Sequence, residues 1–149
     1  MIQMARQAQD YEISTALRLY VQRPDAYRIF VCYYDNPLTR LEVSRKVADN
    51  MSGKYIDFLQ DKARVLDPTI GQYSPEHFMR DLERWSESLD SVLVVDNLEP
   101  LFDTWGTQTL KEFYMMIAHL RTDSVILLST FIPMDYRSLL GSDRVFEVK

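Results

Sequence analysis

The sequence predicts an α/β domain, a three-layer arrangement of a mainly parallel sheet of about five strands with helices on both faces. Ser91–Val95 and Ser124–Leu128 are short apolar runs without polar alternation. That is the pattern of strands buried on both faces, as in parallel sheets covered by helices. Tyr27–Tyr33 is dominated by β-branched and aromatic residues, which favour strands. Segments of helical periodicity separate these runs, so strands and helices alternate. Right-handed crossovers then bring the carboxyl ends of the strands to one edge, where open α/β sheets place their ligands.

In chain order, Ile2–Val21 reads as a helix, with Ile13, Ala16, Leu17 and Tyr20 recurring at helical spacing. Pro24 ends it. After the Tyr27–Tyr33 strand, Leu41, Ser44, Val47, Ala48 and Met51 share one helical face, and Gly53 reads as the C-cap. Lys54–Phe58 begins a second strand. Gln60–Leu66 fits either a loop or a short helix, and Asp67, Pro68 and Gly71 mark a polar connection. Ser74-Pro75-Glu76 supplies an N-cap, a first-turn proline and a first-turn acid. Phe78, Leu82, Trp85 and Leu89 form the apolar face behind it. Glu99–Phe102 starts a helical turn, Asp103–Gly106 interrupts it, and Thr107–Leu120 resumes as a strong helix enlarged by Met115 and Met116. A short helix over Asp135–Leu140 stops at Gly141, and Asp143–Val148 closes the sheet.

A length of 149 residues fits one domain, 1–149, opened by the helix at about 2–21. The 46% hydrophobic content argues against disorder, and the net charge of -5 argues against a broadly basic nucleic-acid surface. Cys32 is the single cysteine; it excludes an internal disulfide and suits a reducing cytoplasm. No apolar run approaches the roughly 20 residues that span a bilayer, and the amphipathic amino terminus differs from a signal peptide. His77 and His119 have no neighbours at metal-ligand spacing.

The first strand-to-helix junction is where a phosphate-binding loop would sit. The frame Tyr34-Asp35-Asn36-Pro37-Leu38-Thr39-Arg40-Leu41 puts Arg40 at the lysine position of G-x-x-x-x-G-K-[ST]. Tyr34 and Thr39 replace the glycines, and Leu41 replaces the magnesium-binding hydroxyl. A phosphate cradle needs successive N–H groups in a concave nest and residues that tolerate positive φ; Pro37 offers no N–H. A local reading explains every residue instead: Asn36 caps a helix that opens on Pro37 and runs to about Met51.

The stretch Ser91–Phe102, Ser-Val-Leu-Val-Val-Asp-Asn-Leu-Glu-Pro-Leu-Phe, resembles the Walker B segment of P-loop NTPases, in which apolar residues precede a magnesium-associated Asp. The layout from Tyr27 to Lys149 resembles the compact RecA/AAA+ core with a degenerate Walker A. The resemblance implies the strand order 5-1-4-3-2, Asp96 as the Walker B-like acid, and Ser129 and Thr130 in the sensor region. Many such ATPases carry a catalytic Glu where this chain has Asn97. The implied nucleotide contacts are Tyr34, Asp35, Asn36, Thr39, Arg40 and Thr130. Asp96 would hold magnesium, and Asp96 with Asn97 would be catalytic in an active enzyme using ATP. The small size and the Asp96–Phe102 stretch also resemble BrxF-type P-loop proteins of BREX phage-defence systems, which implies bacterial cytosol, antiviral defence and a multiprotein setting.

Three functional classes follow: a non-hydrolysing assembly or regulatory subunit, an ATPase completed by Arg40, Asp96 and a neighbouring subunit, and a nucleic-acid-associated module. The expected partners are a second copy or another protein subunit, with nucleic acid reached through a local patch and no membrane. Arg121, Arg137 and Arg144 are candidates for contacts in trans. Tyr33, Tyr34, Phe102, Trp105, Phe131 and Met134 are the large side chains expected near the edges, and a contiguous patch among them would mark a partner surface.

Overall fold

The computed structural model describes residues 2–63 and 72–148. The elements are α1 (Ile2–Val21), β1 (Ile29–Tyr34), α2 (Pro37–Asn50), β2 (Lys54–Asp57), α3 (Pro75–Ser86), β3 (Val92–Asp96), α4 (Glu99–Ile117), β4 (Val125–Thr130), α5 (Tyr136–Leu140) and β5 (Val145–Val148). A π-helical turn covers Leu59–Ala63 and a 3-10 turn covers Ser142–Arg144. The expected connection around Asp67, Pro68 and Gly71 lies outside the described residues.

The five strands are all parallel, in the order β2-β3-β4-β1-β5. Read from the opposite edge this is 5-1-4-3-2, the order that the RecA/AAA+ resemblance implies. Strand alternation divides the interior in two. Ile29, Val31, Leu93, Val95, Ile126 and Leu128 face α3, α4 and α5. Phe30, Cys32, Tyr34, Val92, Val94, Val125 and Leu127 face α1 and α2. Every residue of β3 and β4 is buried, which is why neither shows polar alternation.

Several boundaries shift from expectation. The first strand begins at Ile29, and Tyr27 lies outside it, under the guanidinium groups of Arg121 and Arg144. β3 extends to include Asp96, and β4 to include Ser129 and Thr130. Asp143 and Arg144 belong to the 3-10 turn rather than to the last strand. The interruption expected at 103–106 narrows to Gly106, whose φ of 78° and ψ of 166° break α4 between two helical halves. Met115 and Met116 are exposed rather than part of the buried face.

The end of α2 also differs. Ser52 donates its N–H to Asp49 O, Gly53 donates to Ala48 O, and Ser52 has φ 52°. This is a Schellman ending with Ser52 in the left-handed position. Gly53 follows it and is required for another reason: a Cβ there would stand 2.4 Å from Val92 O.

Candidate functional site

β2 and β3 end side by side, with Asp57 in register with Asp96. Asp96 is fully buried. Its Oδ1 accepts the N–H of Asn97 at 2.8 Å and its Oδ2 accepts the Tyr55 hydroxyl at 3.0 Å. Burial, with the Asp96 charge behind it, raises the Tyr55 pKa and keeps the phenol a donor. Arg45 of α2 lies 5.1 Å from the Tyr55 ring centroid, within cation–π range. Asn97 turns the chain with φ 57°, a conformation asparagine tolerates. Its side-chain amide donates to Asp57 Oδ2 at 2.9 Å, while Asp57 Oδ1 accepts the Gln60 N–H at 3.1 Å.

On the other side of β3, Glu99 opens α4 and reaches the end of β4. Its Oε2 accepts the Thr130 hydroxyl at 2.9 Å and the Phe131 N–H at 3.2 Å. Thr130 Oγ1 in turn accepts the Ile132 N–H at 3.1 Å. Acid at a helix N-terminus is also favoured by the helix dipole. Behind this edge, the Ser44 and Ser129 hydroxyls lie 2.7 Å apart and Tyr34 OH lies 3.2 Å from Ser44 Oγ. Burial raises the Tyr34 pKa well above its ordinary value, and burial also pushes the Cys32 thiol up to about 12.

Asp96 and Thr130 therefore both lie at the carboxyl edge of adjacent parallel strands, and the β1–α2 connection stands at the same edge. That connection has two residues, Asp35 and Asn36. Asp35 gives its N–H to Val148 O of β5 at 3.3 Å, and Asn36 O accepts both the N–H and the hydroxyl of Thr39, at 3.2 and 3.0 Å. Tyr34, a sequence candidate, points into the core between β1 and α2 and is fully buried. The side chains of Arg40 and Leu41 lie outside the described residues. Of the groups that a P-loop would use, the Asp35 N–H is bonded to β5, and each Asp96 oxygen accepts a hydrogen bond, from Asn97 and from Tyr55. Among the described residues, no group of three or more His, Cys, Asp or Glu side chains is arranged to hold a metal.

Tyr55, Asp57, Glu99 and Ser44 join the site without having been singled out in the sequence. Two strands ending in Asp, at 57 and 96, are the signal for the first pair, but only the register aligns them. Arg144 is corrected: it is buried, and its guanidinium donates to Leu140 O and Ala118 O. Arg137 pairs with Glu147 at 3.2 Å. The large side chains expected near the edges divide in two. Tyr34 and Phe102 are core, Tyr33, Trp105, Phe131 and Met134 are half-buried, and the Trp105 indole donates to Tyr73 O. Among the described residues, the most exposed large apolar side chains are Tyr11, Leu19 and Met115. No described helix is long and apolar enough to cross a membrane.

No family model and no curated protein matches the sequence. Among solved structures, the chain is similar to C. elegans PCH-2, with a TM-score of 0.49 and 12% identity over 97% of this chain and 42% of that one. It is also similar to the DnaC helicase loader, with a TM-score of 0.35 and 14% identity over 89% of this chain and 86% of that one. The chain thus spans less than half the length of the PCH-2 chain. The fold assignment rests on the sheet itself: five parallel strands in the order 5-1-4-3-2, between two helical layers.

Proposed function

We propose that this chain is a P-loop-NTPase fold of the RecA/AAA+ type that does not hydrolyse nucleotide by itself and serves as an assembly or regulatory subunit. The observation that carries this reading is the internal use of the groups that hydrolysis would need. Asn97, at the position of the catalytic acid, is bonded to Asp57. Asp96 accepts from Tyr55 and from its own neighbour. The two-residue β1–α2 connection gives its first N–H to β5. In-line phosphoryl transfer needs a phosphate cradle and a group that orients water, and an amide held by a carboxylate is poorly placed to act as a base.

The experiment is phosphate release from ATP and magnesium by the purified chain, alongside light scattering over a concentration series and affinity purification from the native cell. No steady release, with self-association or a specific protein partner, is expected. Release abolished by Asp96→Ala in folded protein would overturn the absence of hydrolysis. A strict monomer that recovers no partner would overturn the subunit role. The likeness in layout to BrxF-type proteins supports a setting in bacterial antiviral defence. Phage plating on a strain lacking this chain tests it, and unchanged plating efficiency would count against it.

A further inference from the structure

A second feature of the carboxyl edge lies over β1 and β5, away from Asp96. A cavity of about 200 Å³ is lined by Tyr33, Asp35, Pro133, Met134, Tyr136, Glu147 and Val148. Its composition follows from strand geometry. Tyr33 of β1 is in register with Glu147 of β5, and register partners in a parallel pair project to the same face. Asp35 lies two residues beyond Tyr33, just after β1, and lines the same cavity; its backbone is pinned by its bond to Val148 O. An aromatic ring and two carboxylates are thereby collected on one side. Tyr136 also lines the cavity, its ring centroid 6.1 Å from that of Tyr33.

We propose that this cavity binds an alkyl-guanidinium or alkyl-ammonium group, the chemistry of an arginine or lysine side chain. Among the described residues, the charged groups lining it are Asp35 and Glu147, so an anion is repelled and a cation attracted. The faces of Tyr33 and Tyr136 carry the negative part of the ring quadrupole, which also favours a cation. Met134, Pro133 and Val148 offer apolar contact to the methylenes behind the charge. The volume far exceeds the roughly 10–15 Å³ that a single water requires. The chain's own Arg137 already reaches Glu147, at 3.2 Å. Both groups of that pair are half-exposed, the situation in which ion pairs are weak and exchangeable. This inference shares Asp35 with the reading of the β1–α2 connection, but it uses the carboxylate, where that reading uses the N–H.

The test is amide NMR and calorimetric titration of the full chain with two probes, agmatine for a free cation and N-acetyl-arginine amide for a polypeptide side chain. N-acetyl-citrulline amide is the neutral control. Saturable shifts at Asp35, Glu147 and Val148 are expected with the cations, weakened ~10-fold or more by the neutral control or by the double variant Asp35→Asn, Glu147→Gln. Binding of both cations supports recognition of the headgroup from either source, and binding of the arginine amide alone supports a polypeptide source. Absence of a saturable shift with both cations, equal binding of the citrulline control, or full binding by a double variant of unchanged melting temperature would each overturn the proposal. Asp35 and Glu147 are both exposed, so the double variant is expected to fold.

Discussion

The Tyr55 hydroxyl donates to Asp96 Oδ2 at 3.0 Å, joining the second strand of the chain to the acid that ends the third. Asp96 is fully buried, so this donor replaces water on a carboxylate that has left solvent. Tyr55→Phe is expected to destabilise the fold by about 1–3 kcal/mol, read from urea denaturation. Combined with Asp96→Ala, which removes the acceptor, the loss should fall short of the sum of the single changes, because the two side chains share one interaction. Strict additivity would show that the bond contributes nothing.

Asn97→Glu restores the residue type that the resemblance associates with catalysis, and it is expected to cost stability without producing hydrolysis. The backbone at 97 has φ 57°, a region that costs an ordinary L-residue about 1–2 kcal/mol. The new carboxylate would also meet Asp57, which now accepts the Asn97 amide. A lowered melting temperature with no phosphate release is the expected result; steady turnover would contradict it.

The end of α2 separates two glycine roles. Ser52 holds the left-handed position of the Schellman ending, so Ser52→Gly is expected to stabilise the protein by about 1 kcal/mol through relief of that conformation. Gly53→Ala should do the reverse by about 1–3 kcal/mol, because its Cβ would collide with the Val92 backbone. Two denaturation curves decide both signs.

Alkaline pH should expose the buried acids of low charge. Burial pushes the Cys32 thiol from its ordinary 9.0 up to about 12, and burial takes the Tyr136 phenol from 10.0 up to about 12. Both pKa values are raised in the folded state, so the associated stability is intact below the unfolded values and is lost as pH rises through the folded ones. The urea midpoint should hold up to about pH 9 and fall between pH 9 and 12. At pH 8, a thiol reagent should modify Cys32 only as fast as the protein opens; rapid modification of folded protein would show the thiol to be accessible.

Much of the architecture was legible because it depends on local pattern. The unbroken apolar runs at β3 and β4 announce two buried faces, and Ser74-Pro75-Glu76 announces a helix start. The strand order followed from the resemblance, since periodicity fixes strands without saying which are neighbours. The edge positions of Asp96 and Thr130 were legible, because both end buried strands. Tyr55 and Asp57 were hidden because their role comes from the β2–β3 register, and Glu99 because its partner lies at the end of β4. Arg144 misled for the same reason: a lone arginine at a strand end reads as surface, while its partners are carbonyls at Leu140 and Ala118.

The order of the sheet sets a schedule for synthesis. β1 is made before both of its neighbours, β4 and β5, and Ile29 pairs with Ile126. A growing chain carries the strand Ile-Phe-Val-Cys-Tyr-Tyr without a partner until β4 has left the ribosome. Non-local parallel pairing is slow to form and leaves unpaired strands open to aggregation. Nascent chains halted before β4 should therefore be held by chaperones, and release should coincide with emergence of β4 and β5, the moment at which β1 is enclosed from both sides.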